Sequence, residues 1–407
     1  MRFFEKLRDC TGRKNRKTKT PKRKIFLRRC FFMRKNVAVL FGGKSCENEI
    51  SIITGTMAAN LLDTERYDVY PVYIAQDGAM YTGKELLDTS FYRGGNLEKK
   101  ADRAIFCMQE LCLLRKNKLK PIAKIDCALN CCHGMGGEDG AVSAMLDLSG
   151  IANASPDMAS SALFMDKSLT KLAAKALGVR TLPYFRISEN DYKKRGAFAV
   201  RCIEERLGYP VIIKPARQGS SIGVSVAEDR ARLLFAIEAG FAYDTLLIAE
   251  KYLAERREIN CACYKNGDEI VVSPCEEPKT QHKFLTFGDK YLGGGKENAN
   301  DFPAKISKAS ADLVQGYTKL LYRRLNLRGV VRADFLLSGN EVYFNEMNTV
   351  PGSLAWYLFC KNLADFKHLL TVFIEQGICD SVARSEKKML SNCGVLSGVR
   401  ASSKRRS

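Results

Sequence analysis

Short apolar runs recur along this chain, each closed by a glycine-rich or polar break and followed by a segment whose apolar positions fall three and four apart. The first run is "NVAVLF" (36–41), followed by "GGKSCENE" and an amphipathic stretch to about Leu62. "YDVYPVYIA" (67–75) and "KIDCALNCC" (124–132) repeat the theme, the latter opening into "HGMGGEDG" and the helical pattern "AVSAMLDLSG". Continuous apolar runs suit strands buried on both faces, and alternation of strand, loop and helix predicts a parallel α/β domain over this part of the chain.

The pattern then changes. A helix is predicted over 164–178, "FMDKSLTKLAAKALG". Strands follow at "TLPYFRIS", "YPVIIKPA", "SIGVSVAE" and "TLLIAEKYL", interleaved with the helical patterns "AFAVRCIEERLG" and "DRARLLFAIEAG". "REINCACYKNGDEIVVSP" reads as an antiparallel hairpin turning at Asn266-Gly267. Residues 277–302 show no periodicity and contain Gly293-Gly294-Gly295; so long a loop in a compact protein is usually functional or disordered. A helix near 307–325 leads to "GVVRADFLLSGNEVYFNEMN", two strands around Ser338-Gly339-Asn340. No internal repeat is visible, and no run of eighteen apolar residues predicts a membrane span.

Length and charge refine this picture. At 407 residues the chain calls for two or three domains. Of the +20 net charge, residues 1–32 hold +11 and residues 382–407 hold +6, so the intervening body carries only +3. Basicity confined to tails says little about what the folded part binds, and a nucleic-acid-binding role is not expected. The segment "TGRKNRKTKTPKRK" has almost no apolar content and is expected to be disordered. "IFLRRCFFMRK" is broken by arginines and is no signal-peptide core. Met33 stands just before the first strand, so the preceding residues read either as a mis-called start or as a basic tail for nucleic acid or an anionic membrane, the former being favoured. The fifteen cysteines include no C-x-x-C pair; Cys131-Cys132 and Cys261-x-Cys263 lie in apolar runs and read as small core residues in a reducing cytoplasm. Three histidines, His133, His282 and His368, leave little for a zinc site.

Four stretches carry candidate chemistry. In "VIIKPARQGSSIGVS" (211–225), Lys214 ends a strand beside Gly219, Ser220, Ser221 and Gly223. Exposed amides, hydroxyls and one ammonium suit a polyphosphate lid, although a glycine-serine hairpin with a surface lysine is the plainer alternative. In "RADF…NEMN", Arg332 and Asp334 share a strand face, as do Glu346 and Asn348. Two carboxylates and an amide match magnesium, with Arg332 at a transferring phosphoryl group; a salt-bridged polar hairpin is the competing reading. "FGGKSCENE" places Glu47 at the carboxyl end of the first strand, where open α/β sheets bind ligands. "HGMGGEDG" places His133 at the end of another strand, a carboxylate-gripping candidate or a structural histidine.

Together these motifs resemble the ATP-grasp carboxylate–amine ligases, and most closely the D-alanine–D-alanine ligases. The match spans about residues 36–364 and rests on "FGGKSCENEIS", "HGMGGEDG", "MDK", "KPARQGSSIGVS", "EKYLAERREINC", "FGDKY" and "RADF…NEMNTVPG", in the family's order. The resemblance implies an α/β, three-unit ATP-grasp fold: an N-terminal parallel, Rossmann-like substrate-binding domain (33–155), and central (156–248) and C-terminal (249–381) α+β units clamping the nucleotide. Residues 1–32 and 382–407 flank these as basic disordered extensions. By the same resemblance Glu47 binds the ammonium of the first D-alanine in a set with Ser220 and Tyr291, and His133 lies near its carboxylate. Lys167 and Lys214 meet the nucleotide phosphates. Glu250, Lys251 and Leu253 form the adenine-binding hinge, and Glu258 contacts the ribose. Lys290 and Tyr291 sit in a mobile closing loop. Arg332 and the Gly352 backbone stabilise an oxyanion, and Asp334, Glu346 and Asn348 hold two Mg2+ ions, or Mn2+. The implied reaction uses ATP to phosphorylate one D-alanine carboxylate; the amine of a second D-alanine then displaces phosphate, yielding a peptidoglycan precursor. A cytoplasmic homodimer acting on small molecules, with no membrane or nucleic acid involved, is the corresponding expectation.

One segment departs from the family pattern. After Pro351-Gly352 the chain reads "SLAWYLF", and Tyr357 stands where many relatives carry a serine that binds the second substrate's carboxylate. D-serine or D-lactate are therefore alternative acceptors, with the Lys290-Tyr291 pair weighing against lactate.

Overall fold

The structure is a computed structural model and describes residues 34–94, 100–279 and 300–387. Residues 1–32 lie wholly outside these residues, as does the carboxyl-terminal extension beyond residue 387.

The amino-terminal region folds around an eight-stranded sheet. β1 (Lys35–Gly42), α1 (Asn48–Leu61), β2 (Tyr67–Ile74), β7 (Cys127–Asn130), α2 (Ala141–Leu148) and β8 (Ala152–Asn153) form the predicted alternation. β1 pairs in parallel with β2 and β7, and β7 with β8. Val37, Ala38, Val39, Leu40 and Phe41 are wholly buried, as expected of a strand covered on both faces.

A purely parallel domain is not what forms. Beyond β2 the sheet continues antiparallel through β3 (Met80–Thr82), β4 (Asp102–Cys107), β5 (Glu110–Arg115) and β6 (Lys118–Lys124), in the order β6-β5-β4-β3-β2-β1-β7-β8. The stretch read as one strand at 124–132 is in fact two: β6 ends at Lys124 on the far edge, and β7 starts at Cys127 beside β1. Hairpins explain the difference. Lys116 and Asn117, both at positive φ (46° and 60°), make the two-residue turn that returns β5 into β6. β6 carries three lysines and Pro121 on an exposed edge, residues that keep such an edge from pairing further.

Two smaller sheets follow. β9 (Tyr184–Ser188), β10 (Val211–Pro215), β11 (Ser225–Ala227) and β12 (Leu246–Lys251) form one, in the order β11-β10-β12-β9 and entirely antiparallel. It is covered by α5 (Glu189–Leu207) and α6 (Arg230–Phe241), whose Val200, Ile203, Leu233 and Ile237 close its core. β13 (Arg257–Asn266), β14 (Glu269–Val272), β15 (Val331–Ser338) and β16 (Glu341–Asn348) form the other, in the order β14-β13-β15-β16, backed by α7 (Lys308–Arg324). Its two predicted turns are present, with Gly267 and Gly339 both at positive φ. α3 (Met158–Met165) and α4 (Lys167–Ala176) connect the first sheet to the second.

The chain ends its described part in α8 (Leu363–Ser385), which extends past residue 382. Its buried Phe366, Leu369, Leu370, Phe373, Ile374 and Gly377 form one stripe against the first sheet. Gly377 makes this approach possible, because a Cβ there would lie 2.7 Å from the backbone of Ala154. The first core thus runs from β1 and α1 through Val350, Leu354 and Leu358 into α8. Among the described residues no helix is long and apolar enough to cross a membrane.

Candidate active site

Three loop ends converge on Glu47. This glutamate sits at the start of α1 and is nearly inaccessible, at 6% exposure. Ser220, from the loop after β10, donates a short hydrogen bond to Glu47 Oε1. Ser220 and Ser221 both adopt left-handed backbone (φ 49° and 60°), a conformation that ordinary side chains avoid and that aims the Ser220 hydroxyl inward. Close packing demands glycine on either side. A Cβ on Gly134, in "HGMGGEDG", would lie 2.7 Å from Glu47 Oε2, and one on Gly219 would lie 3.0 Å from it. The opening loops of two distant motifs therefore press on one carboxylate.

His133 is buried with both ring nitrogens engaged. Nδ1 lies 2.8 Å from the Val350 carbonyl and Nε2 lies 2.9 Å from the Thr54 hydroxyl. Burial lowers its pKa despite the raising influence of Glu47, so Nδ1–H donates to Val350 and Thr54 donates to Nε2. The ring lines the cavity while tethering the Val350 segment to the first sheet. Sequence reasoning passed over its neighbour Glu138, which accepts from the amides of Gly134 (2.8 Å) and Val350 (3.0 Å). Burial, with Glu47 adding to it, pushes Glu138 up to about 8.

The β15–β16 face has the predicted composition. Arg332 is opposite Asn348 and Asp334 opposite Glu346 in the register, so the four side chains share one face. Arg332 grips Asp334 with two bonds (2.7 and 2.9 Å), and Asn348 Nδ2 donates to the same carboxylate at 2.9 Å. The Tyr357 hydroxyl lies 3.5 Å from Arg332 on the adjoining 3-10 segment Gly352–Leu358. Glu276 faces the same space, held by Asn300 (2.6 Å) and raised in pKa by burial. No sequence motif singled it out.

Lys167 opens α4 directly after Asp166, whose carboxylate caps the helix by accepting from the amides of Ser168 and Leu169. Lys167 Nζ donates to the Gln218 carbonyl at 2.5 Å and lies 3.9 Å from Glu346. Lys214 leaves β10 to bond Glu250 Oε2 (2.5 Å) and Asn345 Oδ1 (3.2 Å). Glu250 has zero exposure, and its other oxygen pairs with Lys171, also buried. Its side chain therefore turns to these two lysines, while Lys251, Leu253 and Glu258 line the cavity beyond. Arg256 braces this segment by donating to the Leu253 carbonyl at 2.8 Å and lying over the Tyr252 ring.

Two joined hollows result. One, about 430 Å3, is lined by Glu47, His133, Glu138, Glu276, Asn348, Gly352 and Tyr357. The other, about 110 Å3, lies between the second and third sheets and is lined by Lys214, Glu250, Lys251, Leu253, Glu258 and Asp334. Lys167, Ser220, Arg332 and Glu346 belong to both. Of the predicted site residues, only Lys290 and Tyr291 lie outside the described residues; all others border these hollows.

Such an arrangement, with a basic, glycine-serine-lidded slot between two antiparallel α+β units facing a chamber on an α/β domain, is that of an ATP-grasp ligase. Comparison with known proteins narrows it. Residues 36–155 match the family model described as D-ala D-ala ligase N-terminus, and residues 173–375 that of the C-terminus. A D-alanine–D-alanine ligase from Thermosipho melanesiensis is 37% identical over 348 residues, covering 84% of this chain and 93% of that protein. One from Caldicellulosiruptor bescii is 36% identical over 322 residues, covering 78% and 86%. The solved D-alanine–D-alanine ligase of Helicobacter pylori superposes with a TM-score of 0.69 at 30% identity, covering 84% of this chain and 98% of that one. The chain belongs to the D-alanine–D-alanine ligase family: it is an ATP-dependent ligase that joins two D-alanines.

Proposed function

We propose the following division of labour for that ligation. Glu47, with Ser220, receives the ammonium of the first D-alanine in the larger hollow. His133 and Glu138 fix the wall beside its carboxylate by holding the Val350 and Gly134 backbone. Lys167 and Lys214 supply positive charge to the nucleotide phosphates in the smaller hollow, with Lys251, Leu253 and Glu258 around the adenosine. Arg332 and the Gly352 backbone stabilise the developing oxyanion where the hollows meet. Tyr291 and Lys290 complete the set in the family resemblance. The observation that carries this reading is that Lys167, Ser220, Arg332 and Glu346 form a common wall between the two hollows.

Asp334, Glu346 and Asn348 fit a magnesium site by chemistry and placement: hard oxygen donors on one sheet face, Asp334 and Glu346 lining the nucleotide slot and Asn348 the adjoining hollow. Magnesium usually shares its shell with phosphate oxygens, so two carboxylates and an amide are enough for the protein's share. When bound, Mg2+ neutralises phosphate charge and orients the transferring group. Arg332 already clamps Asp334 through two bonds, holding that carboxylate in place.

On the acceptor side, Tyr357 with Arg332 offers a hydroxyl and a guanidinium to the second substrate's carboxylate. D-alanine is the acceptor by this reading, and the enzyme acts in the cytoplasm as a homodimer. Phosphate release from ATP should require D-alanine alone, with D-alanyl-D-alanine as the product by mass; a requirement for D-serine or D-lactate would reassign the acceptor. Glu346→Gln should reduce kcat by about 10²-fold or more, with an unchanged melting temperature. Full activity in that variant would remove Glu346 from the metal set.

A further inference from the structure

Behind the nucleotide slot lies a buried charge triad whose rear lysine, Lys171, has no part in the ligation chemistry above. Lys171 is 1% exposed and borders neither hollow. It stands one helical turn beyond Lys167 on α4, so both lysines project from the same face. Glu250 divides its carboxylate between two cations, Oε1 toward Lys171 and Oε2 toward Lys214. Of the two lysines only Lys214 reaches the slot, where its side chain is 12% exposed and is steadied by Asn345.

We propose that Lys171 is a positioning residue for nucleotide binding: by neutralising Glu250 from behind, it leaves the charge of Lys214 available to the polyphosphate. The inference rests on the nucleotide-site reading given above. The triad carries one net positive charge, presented at the slot. Without Lys171, Glu250 and Lys214 would form a neutral buried pair. A phosphate could then recruit Lys214 only by stranding an unpaired carboxylate in a dry interior, which is strongly unfavourable. The electrostatics agree with this division. Burial alone would raise Glu250, yet the two lysines bring it down to about 2. Burial lowers Lys171, and Glu250 opposes that.

The test measures the affinity of the full chain for ADP and for adenosine by calorimetry. Their ratio isolates what the phosphates contribute. Lys171→Met should weaken ADP binding about tenfold, one pKa unit's worth of charge interaction, while adenosine changes less than about twofold. Adding Glu250→Gln should bring the ratio back to within about threefold of the parent, because the buried anion that captures Lys214 is gone. A Lys171→Met ratio equal to the parent's, equal losses for both ligands, or a double variant no better than the single one would each overturn the proposal. Lys214→Met is the control. If it leaves the ratio unchanged, the nucleotide-site reading itself fails, and the inference falls with it. Should Lys171→Met alone not fold, the comparison passes to Glu250→Gln with and without Lys171→Met. Without the anion Lys171 has nothing to offset, so the two ratios should agree within about threefold; a larger gap overturns the proposal.

Discussion

At the scale of single residues, Glu138 shows how burial sets chemistry. An isolated glutamate titrates near 4.5, and this one is pushed up to about 8 by its burial and by Glu47 nearby. The folded state therefore retains a proton that the unfolded chain releases. The sign follows: its contribution to stability is fully present below about 4.5 and is lost as pH rises through about 8. Melting temperatures of the ligand-free enzyme should fall across that window. Glu138→Gln should flatten the fall, even though the amide surrenders one of the two backbone hydrogen bonds. An equally steep decline in the variant would assign the pH dependence elsewhere. Residues that sit in a named motif, such as Glu47, Lys214 and Asp334, were legible from the sequence because glycines or alternating strand positions frame them. Glu276 was not: it stands just before the unpatterned stretch, in no motif, and becomes notable only when Asn260 and Asn300 enclose it. Lys171 had a signal, the four-residue spacing from Lys167, but helical spacing alone does not distinguish a buried lysine from a solvated one.

At the scale of elements, local preference and packing sometimes conflict, and α1 provides a clean case. Gly55 lies inside this helix, where alanine would be favoured by about 1 kcal/mol. Yet a Cβ at Gly55 would fall 2.3–2.5 Å from the Phe41 side chain on β1. Overpacking of that severity costs about 1–3 kcal/mol or more, so packing should win. Gly55→Ala is expected to lower the melting temperature by several degrees, about 2–4 °C per kcal/mol for a domain of this size; a higher melting temperature would show that the helix can slide away from β1. The same competition explains which elements the sequence disclosed. Buried parallel strands and capped helices stood out through continuous apolar runs and periodicity. The antiparallel β3–β6 extension did not, because its strands are short and partly exposed. The turn at Lys116-Asn117 was its strongest mark, and that turn lacks the Asn-Gly or Asp-Gly signature of such hairpins. α8 has a regular apolar stripe, but its partner surface is on the first sheet, some 250 residues earlier in the chain.

At the scale of the whole molecule, the site exists because segments far apart in sequence close on one another. Order of motifs along the chain was enough to indicate the family; the distances between them came only with the fold. The Glu47–Ser220 bond spans 173 residues and joins the α/β region to the lid of the central sheet. If this bond is the working connection between the lid and the substrate amine, Ser220 has no separate role once Glu47 cannot accept from it. Ser220→Ala and Glu47→Gln should each lower kcat/KM for D-alanine at saturating ATP, by about 10–100-fold. The double variant should be no worse than the poorer single one, within about threefold, since residues acting as a unit are strongly non-additive. Losses that multiply would mean the serine and the glutamate serve different steps, with the hydroxyl acting on the phosphates rather than through the carboxylate. Nucleotide affinity separates the cases independently: it should be unchanged in Glu47→Gln, and under the coupled arrangement it should also be close to unchanged in Ser220→Ala.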